Sequence, residues 1–151
     1  AVDEIVLMMQ KEVASRLEAK PSTKAYGSLS IAIQYYMDVE VAFTVPRTVF
    51  MPQPTVDSAI IQLKTLKEPP VHIKNELLFF KVVRASFVQR RKTMWNNLKK
   101  ILSDKNKEQE LKEAFQKANV DPSRRGESLT IEEFGQLADA LVSCNLEDSF
   151  L

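Results

Sequence analysis

A chain of 151 residues with 44% apolar side chains has room for one domain or two small ones and enough apolar material for a core, while its formal net charge of +1 points to no partner by itself. The single cysteine, Cys144, excludes an internal disulfide, and neither it nor the single histidine, His72, has the neighbours of a metal-ligand cluster, so no metal is expected. No apolar run approaches the roughly 20 residues that span a bilayer, and the start Ala1-Val2-Asp3-Glu4 lacks the basic region of a signal peptide; a cytoplasmic protein without a membrane partner is expected.

Taken in chain order, Ile5-Val6-Leu7-Met8-Met9 is a continuous apolar run of strand length, the pattern of a strand buried on both faces of a parallel sheet. Lys11 to Ala19 reads as a short helix ended by Pro21, and Ser28 is placed to cap a second helix that continues to about Met37. Val39, Val41, Phe43 and Val45 alternate with Glu40, Ala42 and Thr44 as in a half-buried strand, with Val56 to Leu66 as its antiparallel partner. Residues 67–73, with Pro69 and Pro70 and no periodic pattern, suit an extended linker.

Everything beyond that linker reads as helical. Asn75 can cap a mostly buried helix that contains Leu77, Leu78, Phe80, Val83 and Phe87. From Gln89 a helical wheel gathers Met94, Trp95, Leu98, Ile101 and Leu102 into one apolar arc, with Lys92, Asn96 and Lys99 opposite; Trp95 is therefore read as core rather than as a stacking platform. Lys107 to Ala118 forms a third helix, and Thr130-Ile131-Glu132-Glu133 is a capping box that opens a fourth, running to about Val142. The end from Glu147 to Leu151 is expected to fray.

Two features carry chemistry. The first is the loop Phe50-Met51-Pro52-Gln53-Pro54-Thr55-Val56-Asp57-Ser58-Ala59, whose prolines fix φ near −65° and hold Phe50 in a set direction at a strand end. A ring so presented suits a nucleobase drawn out of its stack, and it equally suits a core crevice beside the hairpin. The second is the segment from Leu77 to Ser103, which carries Lys81, Arg84, Arg90, Arg91, Lys92, Lys99 and Lys100 without an Asp or Glu. An unneutralised basic run is a candidate phosphate-binding surface, against the plainer reading of a solvated helix face.

The loop motif Phe-x-Pro-x-Pro-x-Val-Asp-Ser resembles the back of the target-base pocket in the rRNA adenine-N6 dimethyltransferases, the kasugamycin-resistance enzymes and their relatives. Gln10-Lys11-Glu12-Val13-Ala14-Ser15-Arg16-Leu17, Tyr26-Gly27-Ser28-Leu29-Ser30 and Phe87-Val88-Gln89-Arg90-Arg91-Lys92-Thr93-Met94-Trp95-Asn96-Asn97-Leu98 are similar to further blocks of that family, as is Arg125-Gly126-Glu127-Ser128-Leu129. All stand in the family's order and spacing, and the Arg-Arg-Lys-Thr block is closer to the small-subunit enzymes than to the erythromycin-resistance methylases.

The resemblance implies a fold class of α+β fragment: the C-terminal part of a Rossmann-like methyltransferase domain (strand, helices, antiparallel strand pair) over residues 1–66, followed by a small all-α, rRNA-binding domain over residues 74–151. It implies an S-adenosylmethionine-dependent enzyme that dimethylates two adjacent adenines near the 3′ end of small-subunit rRNA during ribosome biogenesis. The cofactor half of such enzymes opens with a Gly-rich loop, and Gly27, Gly126 and Gly135 form no such loop here. No cofactor site and no catalytic group is therefore expected in this chain, which alone would be inactive. Phe50 would stack on the target adenine, and Arg84, Arg90, Arg91, Lys92, Lys99 and Lys100 would meet rRNA phosphates. The expected partners are small-subunit rRNA and the pre-ribosomal particle, with self-association through open strand edges. The alternatives are a non-catalytic module that docks on the pre-ribosome and, less in keeping with the motifs, a DNA-binding helical domain.

Overall fold

The computed structural model of the chain describes residues 3–150, which separate into two compact units between Pro69 and Pro70. The first unit contains β1 (Glu4–Gln10), α1 (Lys11–Glu18), α2 (Ser28–Tyr36), β2 (Met37–Val45) and β3 (Ser58–Thr65). Its sheet has the order β1-β3-β2 with every pairing antiparallel, so the expected partnership of β2 and β3 is present and β1 joins the same sheet.

Residues paired across antiparallel strands share a face, which divides this sheet into two unlike sides. Ala59, Ile61 and Leu63 of β3 are buried under Ala14 and Leu17 of α1, with Ile5, Met9, Ile33, Met37, Val39 and Val41 packed around them. On the other side the register sets Val6 against Gln62 and Met8 against Ile60, and Val6 and Met8 remain 61% and 56% exposed. The burial on both faces expected of β1 needs neighbours that the described residues of this chain do not supply. β1 lies at an edge, pairs only with β3 among the described residues, and has helices over one face alone.

In β2 the register shifts between Val41 and Phe43, so the alternation expected from Val39 to Val45 breaks at Ala42. Val41 still opposes Ile61, but Phe43 opposes Ile60 and is 58% exposed. The start of α2 also differs from expectation. Gly27 occupies the cap position and Ser28 is the first helical residue, while the Ser30 hydroxyl accepts from the Gly27 N–H at 3.1 Å and donates to the Arg16 carbonyl. Gln34, one turn on, donates to the Leu17 and Ala19 carbonyls at 2.8 and 2.9 Å. Two side chains of α2 thus satisfy the orphan carbonyls at the end of α1.

The second unit contains α3 (Glu76–Val88), α4 (Met94–Ile101), α5 (Glu108–Ala118) and α6 (Ile131–Ser143). Asn75 caps α3 by accepting from the Leu78 N–H at 3.1 Å, and the capping box of α6 is closed by reciprocal 3.1 Å bonds between Thr130 and Glu133, as expected. Phe79, Phe115, Phe134, Met94, Leu98 and Leu102 are fully buried in its core. Val71 packs so closely on α6 that a Cβ at Gly135 would fall 2.6 Å from its methyl group. The expectation of a frayed end is corrected: Glu147–Phe150 is a 3₁₀ turn with Ser149 and Phe150 buried, and the Ser149 carbonyl accepts from the Ser103 N–H at 2.9 Å. Leu151 lies outside the described residues.

Candidate nucleic-acid interface

The loop between β2 and β3 is held at its base by a single ion pair. Arg47 donates from its backbone N–H at 2.9 Å and from Nε at 3.2 Å to Asp57 Oδ1, and its Nη1 reaches the Thr55 carbonyl at 2.7 Å. The Arg47 N–H, with help from its guanidinium and from Lys11, holds the Asp57 carboxyl below its ordinary value. Asp57 also accepts from the Lys11 N–H through its backbone carbonyl, which fastens the far end of the loop to the start of α1.

Within this clasp a 3₁₀ turn, Arg47–Val49, leads to Phe50, whose N–H donates to the Arg47 carbonyl at 3.3 Å. Phe50 is half-buried, and Met51 beside it is 97% exposed. The prolines identify the loop from sequence. The Arg47–Asp57 pair that closes it escapes sequence reasoning, because two opposite charges ten residues apart give no periodic signal.

The basic residues fall on three elements of the second unit. Arg84 is exposed on α3; Arg90, Arg91 and Lys92 lie in the turn that joins α3 to α4; Lys99 and Lys100 occupy the last turn of α4. The helical wheel places Lys92 on a helix face, but α4 begins only at Met94, with Thr93 as its cap accepting from the Asn96 N–H at 3.2 Å. Nor is the run unneutralised in three dimensions. Arg90 meets Glu127 at 3.4 Å and lies 5.5 Å from the centre of the Phe87 ring, and Lys99 meets Glu108 at 3.6 Å. Among the described residues Arg84, Arg91, Lys92 and Lys100 have no carboxylate within ion-pair distance.

The turn that carries these cations is braced from beneath. Asn97, buried on α4, donates to the Ser86 and Gln89 carbonyls at 3.3 and 3.2 Å and so closes the end of α3. The Met94 N–H donates to the Arg124 carbonyl at 2.7 Å, Thr93 bridges to Arg125, and Gly126 lies against Ser86, where a Cβ would meet the Ser86 carbonyl oxygen at 2.9 Å. Arg124 in turn is paired with Glu133 and donates to the Ser128 carbonyl. The two sequence blocks around Thr93 and Gly126 are thus halves of one brace, although far apart in the chain.

The architecture and the sequence both have known counterparts. Residues 1–137 match the family model described as ribosomal RNA adenine dimethylase. A "Ribosomal RNA small subunit methyltransferase A" from Lysinibacillus sphaericus is 62% identical over 137 residues, covering 90% of this chain and 47% of the relative. A protein of the same description from Enterococcus faecalis is 58% identical over 141 residues, covering 93% and 48%. The chain therefore spans about half the length of the curated relatives it matches. Its fold is similar to that of a dimethyladenosine transferase from Plasmodium falciparum, with a TM-score of 0.81 at 22% identity over 95% of this chain and 58% of that one. A 23S rRNA methyltransferase, ErmE, superposes with a TM-score of 0.60 at 21% identity, over 93% of this chain and 55% of its own. With a family model matched across almost its whole length, the chain belongs to the ribosomal RNA adenine dimethylase family.

Proposed function

We propose that this chain is the part of an rRNA adenine dimethyltransferase that receives the target base and grips the rRNA, in an enzyme that dimethylates two adjacent adenines near the 3′ end of small-subunit rRNA. The observation that carries the reading is the family match over residues 1–137, supported by relatives of that description at about 60% identity. Phe50, on its clasped loop, offers a ring to the adenine; the stacking of one base on an aromatic is worth roughly 1–3 kcal/mol. Arg84, Arg91, Lys92 and Lys100 contact phosphates of the rRNA in the pre-ribosomal particle, and Arg90 and Lys99 add positive charge while held by their acids.

The methyl donor of the whole enzyme is S-adenosylmethionine, and the residues of this chain do not fit it. The Gly27 N–H is taken by Ser30, and Gly126 and Gly135 are closed off by Ser86 and Val71, so none of the three offers a free backbone cradle. This chain alone is therefore inactive, and positioning of the base is its share of the reaction. Its open β1 edge, with Val6 and Met8 exposed, drives self-association of the isolated chain, which sedimentation velocity at rising concentration would detect and a constant monomer value would refute.

The test of the reading is Phe50→Ala in the longer enzyme that contains this chain. Methylation of a small-subunit particle falls strongly while affinity for the methyl donor and the melting temperature hold. A melting temperature that collapses instead, matching a loss of about 3–5 kcal/mol, assigns the ring to the core and overturns its role at the base.

A further inference from the structure

A cleft of about 440 Å³ opens between the first turn of α4 and α5, lined by Thr93, Trp95, Asn96, Lys112, Pro122 and Ser123. Its volume is in the range of small-ligand sites, and its walls are tied in place. The Trp95 backbone N–H donates to the Pro122 carbonyl at 3.0 Å, and the Asp121 carboxylate is turned inward on Ser123, accepting from its N–H at 2.9 Å and its hydroxyl at 2.7 Å. Trp95 is half-buried. Its ring packs on buried Phe115 at 6.2 Å between centroids and the residue also lines the cleft, so the core assignment from the helical wheel describes only part of it.

We propose that this cleft receives one unpaired base of an RNA strand, stacked against Trp95. The inference rests on the RNA-binding reading above and adds to it a base site distinct from Phe50. Three features favour a base over an apolar protein side chain. An indole supplies a π surface, which any base can use. Asn96 is exposed in the same lining and its carboxamide can meet donors and acceptors on a base edge, the mode by which single-stranded RNA is read, while the Ser123 hydroxyl, which already donates to Asp121, can only accept. Lys112 forms part of the wall and offers a flanking phosphate positive charge there, and Arg91 and Lys92, free of acidic partners among the described residues, immediately precede Thr93 in the chain.

Trp95 is the only tryptophan of the 151-residue chain, so its fluorescence reports on this cleft alone. Titration with a short oligoadenylate should quench it saturably, and an abasic oligonucleotide of equal length should bind by its phosphates without quenching. Trp95→Leu should weaken oligoadenylate binding about tenfold, the affinity of one stacked base. Asn96→Ala, at an exposed position that leaves the core untouched, should weaken it severalfold with an unchanged melting temperature. Oligoadenylate that binds with normal salt dependence while Trp95 stays silent and both variants bind like the parent chain overturns the cleft and leaves the phosphate surface standing. Equal quenching by the abasic strand, or quenching by an apolar peptide and not by RNA, overturns it as well. Failure of every RNA to bind removes both readings.

Discussion

Residues 70–150 turn nearly all their large apolar side chains inward, Leu77 and Val88 excepted, whereas residues 3–69 leave Val6, Leu7, Met8, Phe43 and Met51 open to solvent. The helical unit closes on itself because each helix finds partners for its apolar stripe within its own stretch of chain, Pro70 onward. The sheet unit has two helices for two faces, and both lie on one side. A local sequence can thus specify its secondary structure fully and still leave a surface whose burial depends on something else.

That contrast is broken most directly by truncating one apolar side chain in each unit. Phe134→Ala removes a fully buried ring that packs against Phe87 and should cost about 3–5 kcal/mol in urea denaturation. Val6→Ala removes an equally apolar group from the bare sheet face and should cost no more than about 0.5 kcal/mol. Comparable losses at the two positions would mean that the sheet face is covered in solution.

A smaller effect tests the brace under the basic turn. In Gly126→Ala the new methyl would meet the Ser86 Cβ and carbonyl oxygen, both at 2.9 Å, and the carbonyl belongs to the backbone of α3 and cannot swing away. A destabilisation of about 1–3 kcal/mol is expected, as for other overpacked sites. Ser86→Gly in the same chain should restore only part of it, since it relieves one of the two clashes. Full restoration would place the constraint in the Ser86 side chain alone.

Acid should separate the units' ion pairs. The Arg124 guanidinium, and after it the Thr130 N–H, hold Glu133 below its ordinary value of 4.5. A carboxyl whose folded value is depressed stabilises the fold above its unfolded value, and that contribution disappears as pH falls through the depressed value. Glu133→Gln should therefore lower stability at neutral pH by about 1 kcal/mol and flatten the decline below pH 4.5. Asp57 and Asp121, also depressed by their hydrogen bonds, keep a residual slope. An unchanged acid limb in chemical denaturation would show that the Arg124 pair contributes nothing measurable.

The helices and their caps are legible because they rest on local rules: Asn75, the Thr130–Glu133 box and the apolar arc from Met94 to Leu102 each announce themselves within a few residues. What escapes is set at a distance. The burial of β1 depends on which strands flank it, the outward turn of Phe43 on a bulge opposite β3, and the packing of Phe150 on a turn that bonds back to Ser103. The basic run looks unopposed because Glu108 and Glu127 lie outside it in sequence and beside it in space. The clasp of Arg47 on Asp57 is hidden for the same reason.

The pairing of Arg90 with Glu127 and of Lys99 with Glu108 also sharpens the smallest expected effect, which concerns charge at the surface of the helical unit. Changing Arg91, Lys92 and Lys100 together to Gln should leave thermal stability within about 0.5 kcal/mol, since exposed side chains contribute little to the fold. If these cations form the proposed RNA-binding surface, binding to a small-subunit particle should weaken, and the slope of log K against log salt should flatten by roughly 0.7–0.9 for each phosphate left without its cation. Changing Arg90 and Lys99 instead should flatten the slope less, because those cations already neutralise acids of their own chain. It should also cost more stability, since Glu127 and Glu108 lose partners and Phe87 loses the guanidinium over its ring. Identical salt slopes for the two variants would show that intramolecular pairing does not decide which cations meet phosphates in the proposed complex. A parental slope in both would show that none of these five cations meets a phosphate.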